Sequence, residues 1–244
     1  MSMMRRRLFL WLVLAMTATA FAQTKPIVVV ELFTSEGCSS CPPADALFRE
    51  LQTRGVTGAD LVLLGEHVDY WNNLGWRDGF SSAQFTRRQE DYTAMLRVPD
   101  AYTPQAVVDG HTELVGNDQK ALRTAIDNAA KSPKPLKVSL NWDSAAQTAH
   151  VTVEGNASGE LFVAITEDGL SSTVKAGENN GKTLAHAAIT RKMIDVGPAK
   201  NGVSKDVKVT LDEKWNVANL RVIAFVQNMK SGAILGAATE KVAK

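Results

Sequence analysis

Residues 27–55 read IVVVELFTSEGCSSCPPADALFRELQTRG. The run from Ile27 to Phe33 is almost continuously apolar and rich in valine, which is the pattern of a strand covered on both faces. After Cys41 the period changes. Ala44, Leu47, Phe48 and Leu51 recur at helical spacing, and Gly55 supplies a stop. Pro42 and Pro43 suit the first helical turn, where N–H groups have no intrahelical partner and a fixed φ is an advantage. The stretch therefore predicts a buried strand, a short loop and a helix, with Cys38 and Cys41 at the helix start.

Downstream, Leu61 to Val68 predicts a second buried strand, completing a βαβ unit. An aromatic loop, DYWNNLGWRDGF, follows with Trp71, Trp76 and Phe80. Ser81 is positioned to cap a helix reaching about Leu96, with Phe85, Arg88, Tyr92, Met95 and Leu96 on its apolar face. Val107 and Val108 then lead through Asp109-Gly110, a strong hairpin signal, to a return strand at Leu114 and Val115. Asn117 or Asp118 opens a further helix with Leu122, Ala125, Ile126 and Ala129 in one stripe. Lys131-Ser132-Pro133-Lys134-Pro135 reads as a short stiff linker. Beyond it LKVSLNW, AHVTVEG, ELFVAITE, DVKVTL and NLRVIAFVQN are strand-length runs separated by turn residues. Strands without a long helix predict an antiparallel sandwich.

The first 22 residues have Arg5, Arg6 and Arg7 ahead of an apolar run and end in Ala20-Phe21-Ala22, the pattern of a secretory signal peptide cleaved before Gln23. The run is too short to span a bilayer, and no later segment is long and apolar enough. The expected location is periplasmic or secreted, with no membrane span in the mature chain. Of 244 residues, 45% are hydrophobic and 22% charged, a globular composition. A formal charge of +1 without a basic block argues against nucleic acid as a partner.

Only two cysteines exist. In an oxidising compartment they pair with each other or with another molecule. A bridge enclosing two residues removes little chain entropy, so the chemistry of the pair is the better reason for it. A helix N-terminus favours the thiolate, the form that attacks disulfides. Cys38, by position the more exposed, is the expected nucleophile and Cys41 the resolving thiol. Glu36 and Asp45 push against a second negative charge.

The order strand, CxxC, helix, strand, helix, X-Pro strand, turn, strand, helix resembles the thioredoxin fold over about residues 26–131, through Cys38-Ser39-Ser40-Cys41 and Thr103-Pro104. In that superfamily the proline is cis and lies against the dithiol. More narrowly, SEGCSSCPPAD, HVDYWNNLGW and AYTPQAVVDG resemble a family of secreted thioredoxin-like bacterial proteins of unknown function. The expected fold class is an α/β thioredoxin-like domain over 25–132 followed by an all-β antiparallel sandwich-like domain over 136–244.

The expected function is extracytoplasmic thiol-disulfide exchange. Cys38 and Cys41 carry the reaction, Thr103-Pro104 presents backbone groups to an extended substrate, and Trp71 and Trp76 wall the site. Glu36, Ser39, Ser40, His67, Asp69 and Arg88 support it. Arg88, on an apolar face, needs a partner, for which Asp69 and Asp78 are candidates. The expected partners are protein thiols or disulfides and a redox partner; a homodimer is a further expectation, presented by the second domain. No cofactor is required. One alternative is a binding or scaffold protein with an inert structural bridge. Another is a cuprous-ion chaperone using both thiols and His67, since soft thiolates suit that metal, whereas zinc usually needs two further Cys or His ligands that the spacing here does not supply. Gly177 to Gly181 lacks the ending of a phosphate loop and reads as a hairpin turn.

Overall fold

The computed structural model describes residues 25–243, so the signal-peptide reading of residues 1–22 lies outside the described residues. Strand β1 (Ile27–Thr34) is followed by helix α1 (Pro42–Arg54), β2 (Asp60–His67), α2 (Ala83–Leu96), β3 (Gln105–Val108), β4 (Thr112–Val115) and α3 (Gln119–Ala129). β1 pairs in parallel with β2 and antiparallel with β3, and β3 pairs antiparallel with β4. Valine and leucine on alternate sides of β1 explain its central place. Val28, Val30 and Leu32 pack with Leu47, Phe48 and Leu51 of α1 and Leu122 and Ile126 of α3, whereas Val29 packs with Phe85 of α2. A strand with helices over both faces buries every side chain.

The second half contributes β5 (Leu136–Asp143), β6 (Thr148–Gly155), β7 (Ser158–Glu167), β8 (Leu170–Thr173), β9 (Thr183–His186), β10 (Ile189–Lys200), β11 (Val203–Lys208), β12 (Leu220–Gln227) and β13 (Ile234–Lys241). The expectation of an α/β thioredoxin-like domain followed by a separate all-β sandwich is not met. Thirteen strands and three α-helices among the described residues make a mostly β molecule, built on one mixed eight-stranded sheet in the order β13-β12-β7-β10-β2-β1-β3-β4. The two halves share it because β2 is not an edge. Ile189 of β10 pairs with Gly65 of β2, and Gly65 N donates to Ala188 O at 2.7 Å. A side chain at Gly65 would press on the carbonyls of Ala187 and Ala188 at 3.2 Å, so glycine permits the junction.

A three-stranded sheet, β11-β6-β5, covers one face of the extension. Its Val138, Trp142, Val151 and Val153 meet Leu161, Val163, Ile165, Val222 and Ala224. Sandwich packing is thus present, but one of its layers is the continuation of the N-terminal sheet. The hairpin tip at Asp109-Gly110 adds a second tie. Ile234 N donates to Asp109 O at 2.9 Å, and Gly110 approaches Gly232 too closely for any β-carbon.

Candidate functional site

Cys41 is the N-cap of α1 and forms a disulfide with Cys38. The loop that places them turns tightly, with Cys38 N donating to Ser35 O and Cys41 N to Cys38 O, both at 3.2 Å. Pro42 and Pro43 stand at the helix start, as expected, but they remove two N–H groups from it. The next two, of Ala44 and Asp45, are taken by Cys41 O at 2.9 and 3.1 Å. The donor nearest the Cys38 sulfur is instead Ser40, whose Oγ lies 3.3 Å from Sγ. Ser39 and Ser40 are exposed. The expectation that Cys38 is the more exposed sulfur is corrected, because both cysteines are fully buried.

Thr103-Pro104 is a cis peptide, and Thr103 O lies 3.8 Å from Cys38 Sγ. Ser40 Oγ donates to the same carbonyl at 3.5 Å. Trp71 Nε1 donates to Thr103 Oγ1 at 2.9 Å and Trp76 Nε1 to Glu36 Oε2 at 2.8 Å, so both indoles brace the dithiol loop and its proline partner rather than standing free. Asn72 holds their loop in shape by accepting from Asp78 N at 3.0 Å and donating to Ser81 Oγ at 3.0 Å. Ser82, one residue after the expected Ser81, caps α2.

Beneath the disulfide lies a buried group of five titratable side chains: Glu36, Asp45, His67, Asp78 and His186. His67 Nδ1 is 2.7 Å from Asp78 Oδ2. The rings of His67 and His186 meet edge to face at 4.8 Å, with Phe80 against both. His186 Nε2 lies 3.4 Å from Glu36 Oε1 and Nδ1 lies 3.7 Å from Asp45 Oδ2, at ion-pair distance without a hydrogen bond on either ring nitrogen. Asp45 follows Cys41 by one helical turn and accepts from Thr34 Oγ1 at 3.0 Å.

Burial pushes the Asp45 carboxyl above the ordinary range, only partly opposed by the two imidazoles. Burial would lower His67, but the Asp78 carboxylate outweighs it and raises His67 above its ordinary value. Burial would likewise raise Asp78, and His67 with two backbone N–H donors holds it below. Glu36 also ends below its ordinary value, its burial outweighed by His186, Ser172 and Trp76.

The disulfide has a cover. The loop between β8 and β9 reaches over it, and the buried Asn179 donates from Nδ2 to Glu36 O and Cys38 O, each at 2.9 Å. Ser39 N donates to Glu178 Oε2 at 2.9 Å. Gly177 of this loop packs on the aromatic loop at Leu74 and Trp76. The turn at Gly177 to Gly181 is a turn, as expected, but its role over the cysteines, and that of His186 at the end of β9, were missed. Neither leaves a local signal, since Asn179 is more than 140 residues from Glu36.

Two expected supporting residues lie elsewhere. Asp69 bonds to Thr86 through both its N–H and its carboxylate and stays beside the start of α2. Arg88 pairs with neither Asp69 nor Asp78. Its Nε contacts Glu31 of β1 and lies 3.4 Å from Glu66 of β2, and its guanidinium also reaches Gln227 of β12 and the Tyr92 hydroxyl. The correction follows from the shared sheet. Glu31 and Glu66 are neighbours on β1 and β2 under α2, where a buried arginine finds two carboxylates directly. Among the described residues no group of three or more His, Cys, Asp or Glu side chains is placed to hold a metal ion, and no helix is long and apolar enough to cross a membrane.

The profile of a protein family of unknown function, DUF1223, matches residues 29–227. The chain belongs to this family. It is similar to a crystallised protein of Agrobacterium tumefaciens, with 30% identity, a TM-score of 0.68 and coverage of 91% of this chain and 97% of that one. It is also similar in fold to HBP35 of Porphyromonas gingivalis, at 16% identity and a TM-score of 0.65, covering 91% of this chain and 76% of the other. No curated protein matches it. The match to DUF1223 spans both halves, so the family unit includes the cover loop and His186 as well as the cysteines.

Proposed function

We propose that this DUF1223 protein is an extracytoplasmic thiol-disulfide exchange protein, working through Cys38 and Cys41. The observation that carries the reading is the Cys38–Cys41 disulfide at the start of α1 beside the cis Thr103-Pro104 bond, with Thr103 O 3.8 Å from the Cys38 sulfur. This local arrangement is what the resemblance to thioredoxin-like proteins rests on, although the molecule as a whole is built otherwise. The leader-like residues 1–22 support export.

In the oxidising direction a substrate thiolate attacks Cys38 Sγ. A mixed disulfide forms, the Cys38–Cys41 bond breaks, and Cys41 leaves as a thiolate that takes up a proton. A second substrate thiolate then attacks the substrate sulfur of the mixed disulfide, and Cys38 leaves. The substrate has lost two electrons and formed a disulfide, and the protein holds two reduced cysteines. The reverse sequence reduces a substrate disulfide, beginning with attack by Cys38. Ser40 Oγ is placed to donate to the Cys38 thiolate, and because Cys38 is fully buried, attack on its sulfur requires the surrounding loops to open.

A second reading has its own observation. Full burial of both cysteines, with Asn179 tied to the Cys38 carbonyl, favours an inert bridge inside a binding or scaffold protein. Equilibration of the pair in glutathione buffers, read by alkylation and mass, separates the two. A potential between roughly −120 and −230 mV is expected for exchange, and a value below about −300 mV would overturn it in favour of the structural bridge.

A further inference from the structure

Toward the C-terminal end of α1, away from the cysteines, a cleft of about 470 Å³ opens between the helix, the β7–β8 turn and the ends of β12 and β13. Three cations line it: Arg49 from α1, Arg221 from β12 and Lys241 from β13. Among the described residues none of the three forms an ion pair. Other cations of this molecule do, as in Arg123 with Glu50, Arg191 with Glu167 and Lys134 with Asp109.

Arg221 and Lys241 are directly opposite each other in the antiparallel β12–β13 register. Like charges placed so on neighbouring strands repel and destabilise the pairing. The carboxylate in the wall of the cleft, Asp168, is held by neutral donors instead. Its Oδ2 accepts from Gln52 Nε2 at 2.7 Å and its Oδ1 from Ala188 N at 2.8 Å, and none of the three cations lies within ion-pair distance of it. A concave site thus holds two guanidinium groups and an ammonium, with one carboxylate in its wall and, among the described residues, no ion pair to any of the three. Guanidinium forks match the two oxygens of a carboxylate or phosphate, and such pairs are strongest where water is partly excluded.

We propose that this cleft binds a small multivalent oxyanion, a dicarboxylate or a phosphate monoester, held between Arg49 on one wall and the Arg221–Lys241 pair on the other. The volume suits a small organic molecule rather than a macromolecular surface. The site shares only His186 with the cluster beneath the disulfide and none of the groups proposed to exchange sulfur, so its test does not depend on the redox reading.

Isothermal titration of the chain lacking residues 1–22 at low salt, with inorganic phosphate, succinate and acetate, tests it. Saturable binding of phosphate or succinate at one site is expected, with acetate weaker because one charge cannot engage both walls. Whichever of the first two binds more tightly identifies the ligand chemistry. Arg221→Gln and Lys241→Gln are each expected to weaken binding at least about tenfold, the loss of one charge-assisted hydrogen bond. Without ligand, Lys241→Gln is expected to melt no lower than the parent, since it removes repulsion. No saturable binding of either anion at millimolar concentration, unchanged affinity in both variants, or a lower melting temperature for Lys241→Gln would each overturn the proposal.

Discussion

Two buried polar clusters lie along the same pair of central strands and solve the burial of charge differently. Under α2, Glu31, Glu66, Arg88, Tyr92 and Gln227 surround one guanidinium that stays charged at any ordinary pH. Under the disulfide, Glu36, Asp45, Asp78, His67 and His186 contain no fixed cation, only two imidazoles. Burial together with the neighbouring Glu31 raises Glu66 well above the ordinary carboxylate range, and Arg88 opposes that rise. The first cluster joins β1, β2, α2 and β12 and serves the junction of the two halves. The second is the one whose charge responds to pH near neutrality, and it sits where chemistry is proposed. The difference teaches that burial alone does not mark a site; the identity of the cation does.

Removing the fixed cation breaks this contrast most severely. Arg88→Ala leaves Glu31 and Glu66 buried without their partner, and a loss of about 3–5 kcal/mol is expected in urea unfolding. A loss under about 1 kcal/mol would show that the cluster is not charged as described. Next in size is the cover. Asn179→Ala removes the donor to the Glu36 carbonyl and leaves the Cys38 carbonyl with Cys41 N alone, with an expected cost of about 1–3 kcal/mol. The same variant is expected to be reduced faster by dithiothreitol, because the cover over Cys38 is loosened, and an unchanged rate would mean that the loop does not gate the sulfur.

The imidazole cluster makes a pH prediction. His67 is raised in the folded protein, so its contribution is complete below its ordinary value of 6.5 and is lost as pH rises through the folded value. Asp78 is lowered, so its contribution is present above its ordinary 3.8 and is lost as pH falls through the depressed value. Asp45 is raised, so the fold favours its acid form and loses stability as pH climbs past the ordinary carboxylate range. Chemical denaturation across pH is therefore expected to show a maximum on the acid side of neutrality, with a flatter alkaline limb in His67→Gln. An unchanged limb would break the assignment. The smallest effect belongs to Glu66→Gln, because burial and the neighbouring Glu31 already disfavour the charged form of Glu66. A change within about 1 kcal/mol is expected at neutral pH, since the amide keeps the shape of the side chain and Arg88 keeps Glu31. A larger loss would show that Glu66 is ionised and that the two clusters are more alike than described.

The local elements of the first half were legible because each rests on neighbours in sequence. The apolar run of β1, the period change after Cys41, the Asp109-Gly110 turn and the cap at Asp118 all appear where expected. In the second half, β8, β9, β10 and β13 lie outside the strand-length runs that the sequence pattern predicts. β10 is interrupted by irregularities at Thr190/Lys192 and Asp195/Gly197 and contains Gly197-Pro198, so its alternation never runs long enough to register. Missing that strand meant missing the bond between the halves.

At the site, Cys38, Cys41 and Thr103-Pro104 were legible because motif and proline each carry a local chemical restriction. The full burial of the sulfurs, the carbonyl contacts of Asn179 and the ring of His186 between Glu36 and Asp45 were not. By itself the sequence determined the helix that starts at the cysteines, the buried parallel pair β1 and β2, and the presence of a two-cysteine centre, because hydrophobic period and residue chemistry act over a few neighbours. Only the tertiary structure decided that one sheet runs through both halves, which carboxylates Arg88 meets, and what covers the disulfide. Those depend on strand order and on contacts between residues far apart in sequence, 57 positions for Arg88 with Glu31 and 141 for Asn179 with Cys38, for which no local pattern of side chains has a physical reason to differ.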